Sequence, residues 1–243
     1  MSVATAFRLA PVALADLVLP VGHSGLPLGR GVHGRWSGVD VVLDVFRGGP
    51  TSLASFLDIA SMSVLARRLQ NVGASVFVAS REPGWQAILR LSRTDARPVV
   101  TAEGPDGVPV ASFPRPVAVI GAGRALVGGS TARAAGTPWS LSIATLPGVD
   151  LGTTTQAREA DVVLIGGTDP ASAGTLARAL ELRADAASWI CGVDDDHIVV
   201  VVGRSWTVVA LDPTVDELRL RAATAGWQRT RARRARVEPD TDR

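Results

Sequence analysis

The chain contains no lysine and no tyrosine, and only one cysteine among 243 residues. Without lysine there is no ammonium group for the phosphates in a Walker A loop and no amine for Schiff-base chemistry, so both are excluded. The lone Cys191 rules out an intramolecular disulfide and a thiolate zinc cluster, which fits a reducing cytosol. Long apolar runs are missing as well. The longest β-branched stretch, Ile198-Val199-Val200-Val201-Val202, falls far below the ~20 residues of a membrane-spanning helix. Arg8, Pro11 and Asp16 interrupt the N-terminal apolar residues, leaving no signal-like core. A soluble, cytoplasmic chain is expected.

What is present points to a packed α/β protein. Hydrophobic residues make up 47% of the chain, enough to bury a core in one large or two small domains. All 25 basic residues are arginine and the net charge is +2. Almost nothing titrates between neutrality and the arginine range, so this small excess draws the isoelectric point up to about 9.8. Five arginines lie within 229–236; removing them from the net +2 leaves −3 for the remainder. The basic character belongs to the C-terminal tail.

Val39 to Phe46 is a β-branched run, apolar on both faces, which predicts a strand covered on both sides. After Gly48-Gly49-Pro50, a helix is expected with Thr51 or Ser52 as N-cap. It would carry Leu53, Phe56, Leu57, Ala60, Val64, Leu65 and Leu69 inward and end near Asn71-Val72-Gly73. Ala74 to Ala79 is the return strand. The pattern recurs between Ala160 and Val202. There Asp161-Val162-Val163-Leu164 matches Asp40-Val41-Val42-Leu43, each followed by Gly-Gly, a proline and a serine. Strand, helix and strand in that order imply a right-handed parallel crossover. The fold class expected is α/β: a mixed, mainly parallel sheet with flanking helices, built from two related βαβ modules. A short helix is read at 85–91, a hairpin from 98–102 and 107–112, strands at 117–120 and 139–144, and a terminal β-pair at 198–202 and 206–211. A last helix is read at 215–225. Phe113-Pro114-Arg115-Pro116 marks the internal boundary, giving modules at 1–113 and 114–226 and a tail at 227–243.

Several motifs approach known chemistry. Gly22-His23-Ser24-Gly25-Leu26 resembles a nucleophile elbow, but Leu stands where the fifth position needs a residue without bulk, so it is read as a β-turn. Val119 to Gly129 starts like a dinucleotide fingerprint, yet Leu126 replaces the third glycine, and a Gly-rich turn is the reading. Asp194-Asp195-Asp196-His197 follows an apolar stretch. It is read either as a cation site in the manner of the Asp-x-Asp of sugar-nucleotide transferases or as a solvated turn guarding a sticky strand. His23, His33 and His197 have no metal-ligand spacing to one another. Arg229, Arg231, Arg233, Arg234 and Arg236 form a charged stretch suited to anionic lipid headgroups, an acidic partner, nucleic acid or plain solubilisation. Only Trp227 stands near it, so base stacking is poorly served.

Leu19-Pro20-Val21-Gly22-His23-Ser24-Gly25-Leu26-Pro27-Leu28-Gly29-Arg30-Gly31-Val32, the strand Val39 to Val45, the long helix and Gly73 to Val78 together resemble the C-terminal cytoplasmic domain of EccE. EccE is a core component of actinobacterial type VII (ESX) secretion systems. The match spans roughly residues 14 to 91. The resemblance implies a Rossmann-like or glycosyltransferase-like α/β domain with no known enzymatic role, packed at the cytosolic edge of a membrane complex with EccB, EccC and EccD. It implies no cofactor, and the family offers no catalytic residues to carry over.

The expectation from sequence is therefore a non-enzymatic, EccE-like scaffold or interaction protein of a type VII secretion system. It would be cytoplasmic or peripheral at the inner face of the membrane, with no catalytic, cofactor or metal residues assigned, and with Arg229, Arg231, Arg233, Arg234 and Arg236 as partner contacts. Two alternatives stand beside it. One is a metal-dependent sugar-nucleotide transferase using Asp194 and Asp196; the other is binding of nucleic acid or an anionic membrane through the tail.

Overall fold

The computed structural model describes residues 25–80, 82–92, 98–102, 107–122 and 136–224. These residues build a ten-stranded sheet. In chain order the strands are β1 (Gly25–Gly34), β2 (Asp40–Asp44), β3 (Thr51–Phe56), β4 (Ser75–Ala79), β5 (Val100–Thr101), β6 (Val117–Ala122), β7 (Ser140–Thr145), β8 (Val162–Ile165), β9 (His197–Val202) and β10 (Ser205–Ala210). The helices are α1 (Ile59–Asn71), α2 (Pro83–Leu91), α3 (Leu151–Glu159), α4 (Pro170–Ala179), α5 (Ala186–Gly192) and α6 at 215–224.

Across the sheet the order is β2-β1-β10-β9-β8-β3-β7-β6-β4-β5. The run from β8 to β5 is parallel and the run from β2 to β8 antiparallel. Helices cover both faces of β3 and β8, so these strands are buried on both sides and β8 reads as an unbroken apolar run, Val162-Val163-Leu164-Ile165. Alternate residues feed two cores. Leu53, Val162 and Leu164 join α1 and α2 residues such as Met62, Leu65, Leu69, Trp85 and Ile88. Ala54, Val163 and Ile165 join Ala157, Leu176 and Ile190 from α3, α4 and α5.

The expected fold class holds: a mixed, mainly parallel α/β sheet with flanking helices. Strand partners differ from the expected crossovers. Asp40–Asp44 is an antiparallel edge strand paired only with β1, and its exposure alternates: Asp40, Val42 and Asp44 face out, while Val41 and Leu43 face in. The stretch from Thr51 to Phe56, expected to open a helix, is instead an interior strand of the parallel core, paired with β7 on one side and β8 on the other. Asp58, not Thr51 or Ser52, caps α1. In the second copy, β8 and β9 lie side by side but antiparallel. The helix expected between them is two helices, α4 and α5, broken where Glu181 takes a positive φ of 53°. The expected hairpin is also replaced, because β5 pairs in parallel with β4; residues 103–106 lie outside those described.

The chain reverses its path across the sheet beside β3. From β3 it runs through α1 to β4, three strands to one side; from β7 it runs through α3 to β8, on the other side of β3. Open α/β sheets place ligands beyond the carboxyl ends of the strands at such a switch point.

Candidate functional site

The rim beyond the carboxyl ends of β3, β7 and β8 is formed by three strand-to-helix junctions. The first is short, with only Leu57 and Asp58 between β3 and α1. Asp58 Oδ1 accepts the amide of Ser61 at 2.8 Å, and the Leu57 amide donates to Ser55 Oγ at 3.3 Å. The second joins β7 to α3, where Asp150 accepts the Thr153 amide at 2.8 Å and Thr153 Oγ1 accepts the Asp150 amide at 2.8 Å, a reciprocal capping box. The third joins β8 to α4 through Gly166-Gly167-Thr168-Asp169. Asp169 Oδ1 accepts from the amides of Ala171 and Ser172, each at 3.0 Å. Hydrogen bonds from Ser172 and then Ala171 hold the Asp169 carboxyl below the usual aspartate value.

All three helices therefore carry a carboxylate of this chain on their own first amides. A helix N-terminus attracts anions through its free N–H groups and partial positive charge. Here Asp58, Asp150 and Asp169 have taken that role. The junction after β3 is also too short for the eight-residue Gly-x-x-x-x-Gly-Lys-Ser/Thr cradle, and the chain has no lysine to complete it. Close packing narrows the rim further. A Cβ on Gly166 would sit 3.4 Å from Leu57 Cδ2, and one on Gly167 would come within 2.4 Å of the Val193 carbonyl oxygen. The loop after β8 is thus pressed against Leu57 and the end of α5.

Sequence reasoning overlooked these three aspartates, although they share a pattern: Asp58-Ile59-Ala60-Ser61, Asp150-Leu151-Gly152-Thr153 and Asp169-Pro170-Ala171-Ser172. Asp-x-x-Ser/Thr ahead of an apolar-periodic run is an N-terminus signal, strengthened at Asp169 by Pro170 in the first turn.

The residues singled out from sequence lie elsewhere. Asp194, Asp195 and Asp196 form the turn before β9. Asp194 Oδ1 lies 2.6 Å from His197 Nδ1, and this contact holds the Asp194 carboxyl below its usual value. Asp196 pairs with Arg221 of α6 at 2.5 Å. The transferase alternative is corrected on this geometry. The two carboxylates are bound to different partners, and among the described residues no group of three or more metal-ligating side chains forms. His33 stacks on Trp189 with ring centroids 4.0 Å apart. Asp161, matched to Asp40 in sequence, has a different setting. It accepts the Ser52 amide at 2.8 Å, Ser52 Oγ at 2.9 Å and Arg47 Nη2 at 2.9 Å, tying together the amino ends of β3 and β8. His23 and Ser24, residues 123–129 of the Gly-rich stretch, and Arg229, Arg231, Arg233, Arg234 and Arg236 lie outside the described residues. No described helix is long and apolar enough to cross a membrane.

No protein family matches the sequence, and no curated protein matches it. Membership of the EccE family is accordingly not shown. Solved structures do resemble the fold. The genome-packaging NTPase of Sulfolobus turreted icosahedral virus 2, in complex with ATP-gammaS, is 12% identical with a TM-score of 0.40, over 67% of this chain and 97% of that one. The pCW3 conjugation coupling protein TcpA with ATPgS is 11% identical with a TM-score of 0.42, over 74% of this chain and 65% of that one. The cytoplasmic domain of the type VII secretion ATPase EccC of Thermomonospora curvata is 11% identical with a TM-score of 0.42, over 82% of this chain and 28% of that one. At these values the likeness assigns no family and no function, and the mixed α/β sheet with flanking helices stands on its own topology. The solved structures it resembles are NTPases, and none of the comparisons bears out the expectation of a non-enzymatic EccE-like scaffold.

Proposed function

We propose that this chain is an NTPase-type α/β domain of an ATP-driven secretion or conjugation assembly, in which any nucleotide held at the β3 switch point is held jointly with a second subunit. The observation that carries this reading is the reversal of the chain's path across the sheet beside β3. The sheet reverses at the position where such folds place a ligand, yet the helix N-terminus there is filled by Asp58 and the chain contains no lysine. Phosphate-binding groups then have to come from a partner. An EccC-type ATPase is the partner proposed, with EccB and EccD as further members of the assembly and a cytoplasmic placement.

The test is ATP–Mg binding by calorimetry and phosphate release, for the chain alone and with a co-expressed EccC-type ATPase. Expected are no saturable binding by the chain alone, a stable complex, and a turnover rate in that complex different from that of the ATPase alone. ATP hydrolysis by the isolated chain would replace the shared-site reading with a self-sufficient one. Failure to form any complex would remove the partner.

A further inference from the structure

Helix α6 is attached to the domain in an unusual way. Among the described residues, none of its side chains belongs to the two cores or to the smaller apolar cluster of Phe77, Ala102, Val108, Ala111, Val117 and Val119. Val215 and Leu218 face solvent at 66% and 48% exposure. Among the described residues, the hydroxyl of the buried Thr224 bonds only to the carbonyls of Leu220 and Arg221 in its own helix. A cleft of about 330 Å³, lined by Arg67, Leu91, Asp216, Arg219, Leu220 and Ala223, lies between α6 and the helices α1 and α2.

Charge fastens the helix instead. Glu217, 1% exposed, accepts from Arg68 of α1 at 2.9 Å and 3.1 Å. It also caps α6, accepting the Thr214 amide at 2.8 Å while its own amide donates to Thr214 Oγ1 at 3.3 Å. Farther along, Arg221 pairs with Asp196 and also donates to the Asp195 carbonyl. Arg68 has other acceptors: it donates to the carbonyls of Leu28 and Leu211, each at 2.5 Å. If Glu217 leaves, the guanidinium therefore keeps hydrogen-bond partners.

An element with little apolar burial and few anchors opens at a lower free energy than the core it rests on. We propose that α6 is a strap that detaches as a unit while the sheet stays folded, held by the Arg68–Glu217 and Arg221–Asp196 pairs.

Native-state hydrogen exchange by mass spectrometry on the full chain tests this. In the wild type, α6 amides are expected to exchange through an opening with little dependence on denaturant, well before those of β3, β7 and β8. Glu217→Gln keeps the side chain's size but removes its charge. It is expected to speed α6 exchange by about tenfold or more, the effect of losing one charge-assisted hydrogen bond, and sheet exchange by no more than that, with α6 still exchanging first. Arg221→Gln, at the second anchor, is expected to act in the same direction. Exchange of α6 in step with the sheet at every denaturant concentration would overturn the proposal. So would an unchanged rate in Glu217→Gln, or failure of that variant to fold, since either makes α6 something other than a releasable strap.

Discussion

Arg68 Nε donates to Glu217 Oε1 across 2.9 Å, joining α1 to a helix 149 residues further along the chain. Both side chains are almost fully enclosed, at 8% and 2% exposure. Burial alone would raise the Glu217 carboxyl, but the hydrogen bonds from Arg68 and Thr214 outweigh it and hold the group below its ordinary value. The stability it contributes is thus complete above about pH 4.3, the value of a free glutamate, and is lost as pH falls through the lower native value.

The two partners of this pair are not equivalent. Arg68 also satisfies the carbonyls of Leu28 and Leu211, so Arg68→Met leaves a buried carboxylate and bare carbonyls together. It is expected to cost about 3–5 kcal/mol in urea unfolding. Glu217→Gln leaves Arg68 with its backbone partners and should cost no more than about 1–2 kcal/mol. Equal losses in the two variants would refute this asymmetry.

Asp161 gives a second, separable acid response. Burial pushes its carboxyl up, yet the Ser52 amide and hydroxyl, followed by Arg47, bring it below the usual aspartate value. Its contribution is present above about pH 3.9 and disappears as pH drops through the native value. Asp161→Ala removes the acceptor for three hydrogen bonds. The carboxylate is 41% exposed and screened by solvent, so a loss of only about 0.5–1 kcal/mol at neutral pH is expected, with little difference from the wild type once the acid is fully protonated. Denaturation curves across the acid range read both numbers, and a pH-independent difference would show that the carboxylate charge is not the cause.

Much of the fold was legible along the chain. Ser75–Ala79, Val117–Ala122, Val162–Ile165 and the β9–β10 pair are apolar runs bounded by Gly, Pro or Asp, and such runs announce themselves. Thr51–Phe56 did not, because Leu53, Phe56 and Leu57 sit at helical spacing and continue the stripe of the real helix after them. What makes this stretch a strand is its interior place between β7 and β8, a non-local fact that overrides local pattern. The same limit explains the false repeat. Asp40-Val41-Val42-Leu43 and Asp161-Val162-Val163-Leu164 look alike, but pairing partners are set across the sheet, and one lies at its edge while the other lies in its interior. At the candidate site the Asp-x-x-Ser/Thr caps were readable one by one. Their convergence on a single rim was not, since it depends on the order of β8, β3 and β7.

The glycines of the site region separate close packing from flexibility. Gly167→Ala would place a methyl 2.4 Å from the Val193 carbonyl oxygen, a backbone atom that cannot swing aside. An overpacking cost of about 1–3 kcal/mol is expected. Gly174 lies within α4 with nothing near its absent side chain, so Gly174→Ala should stabilise the protein by about 0.5–1 kcal/mol. Thermal unfolding of the two variants should shift in opposite directions. If Gly167→Ala is neutral, the loop after β8 is free to move off α5 and the rim can open to a ligand.

Thr51 begins β3 with 2% exposure, and its hydroxyl has no hydrogen-bond partner among the described residues. A hydroxyl buried without a partner loses its water hydrogen bonds and gains nothing in return. Valine has the same branched shape and favours strands, so Thr51→Val should leave the register with Leu141 intact. The expected gain is about 1–2 kcal/mol, read as a higher urea midpoint at an unchanged slope. A loss instead would mean that the hydroxyl finds an acceptor or an ordered water at the amino end of β3. That would turn attention from the carboxyl rim to the opposite end of the sheet, where Asp161, Ser52 and Arg47 already cluster.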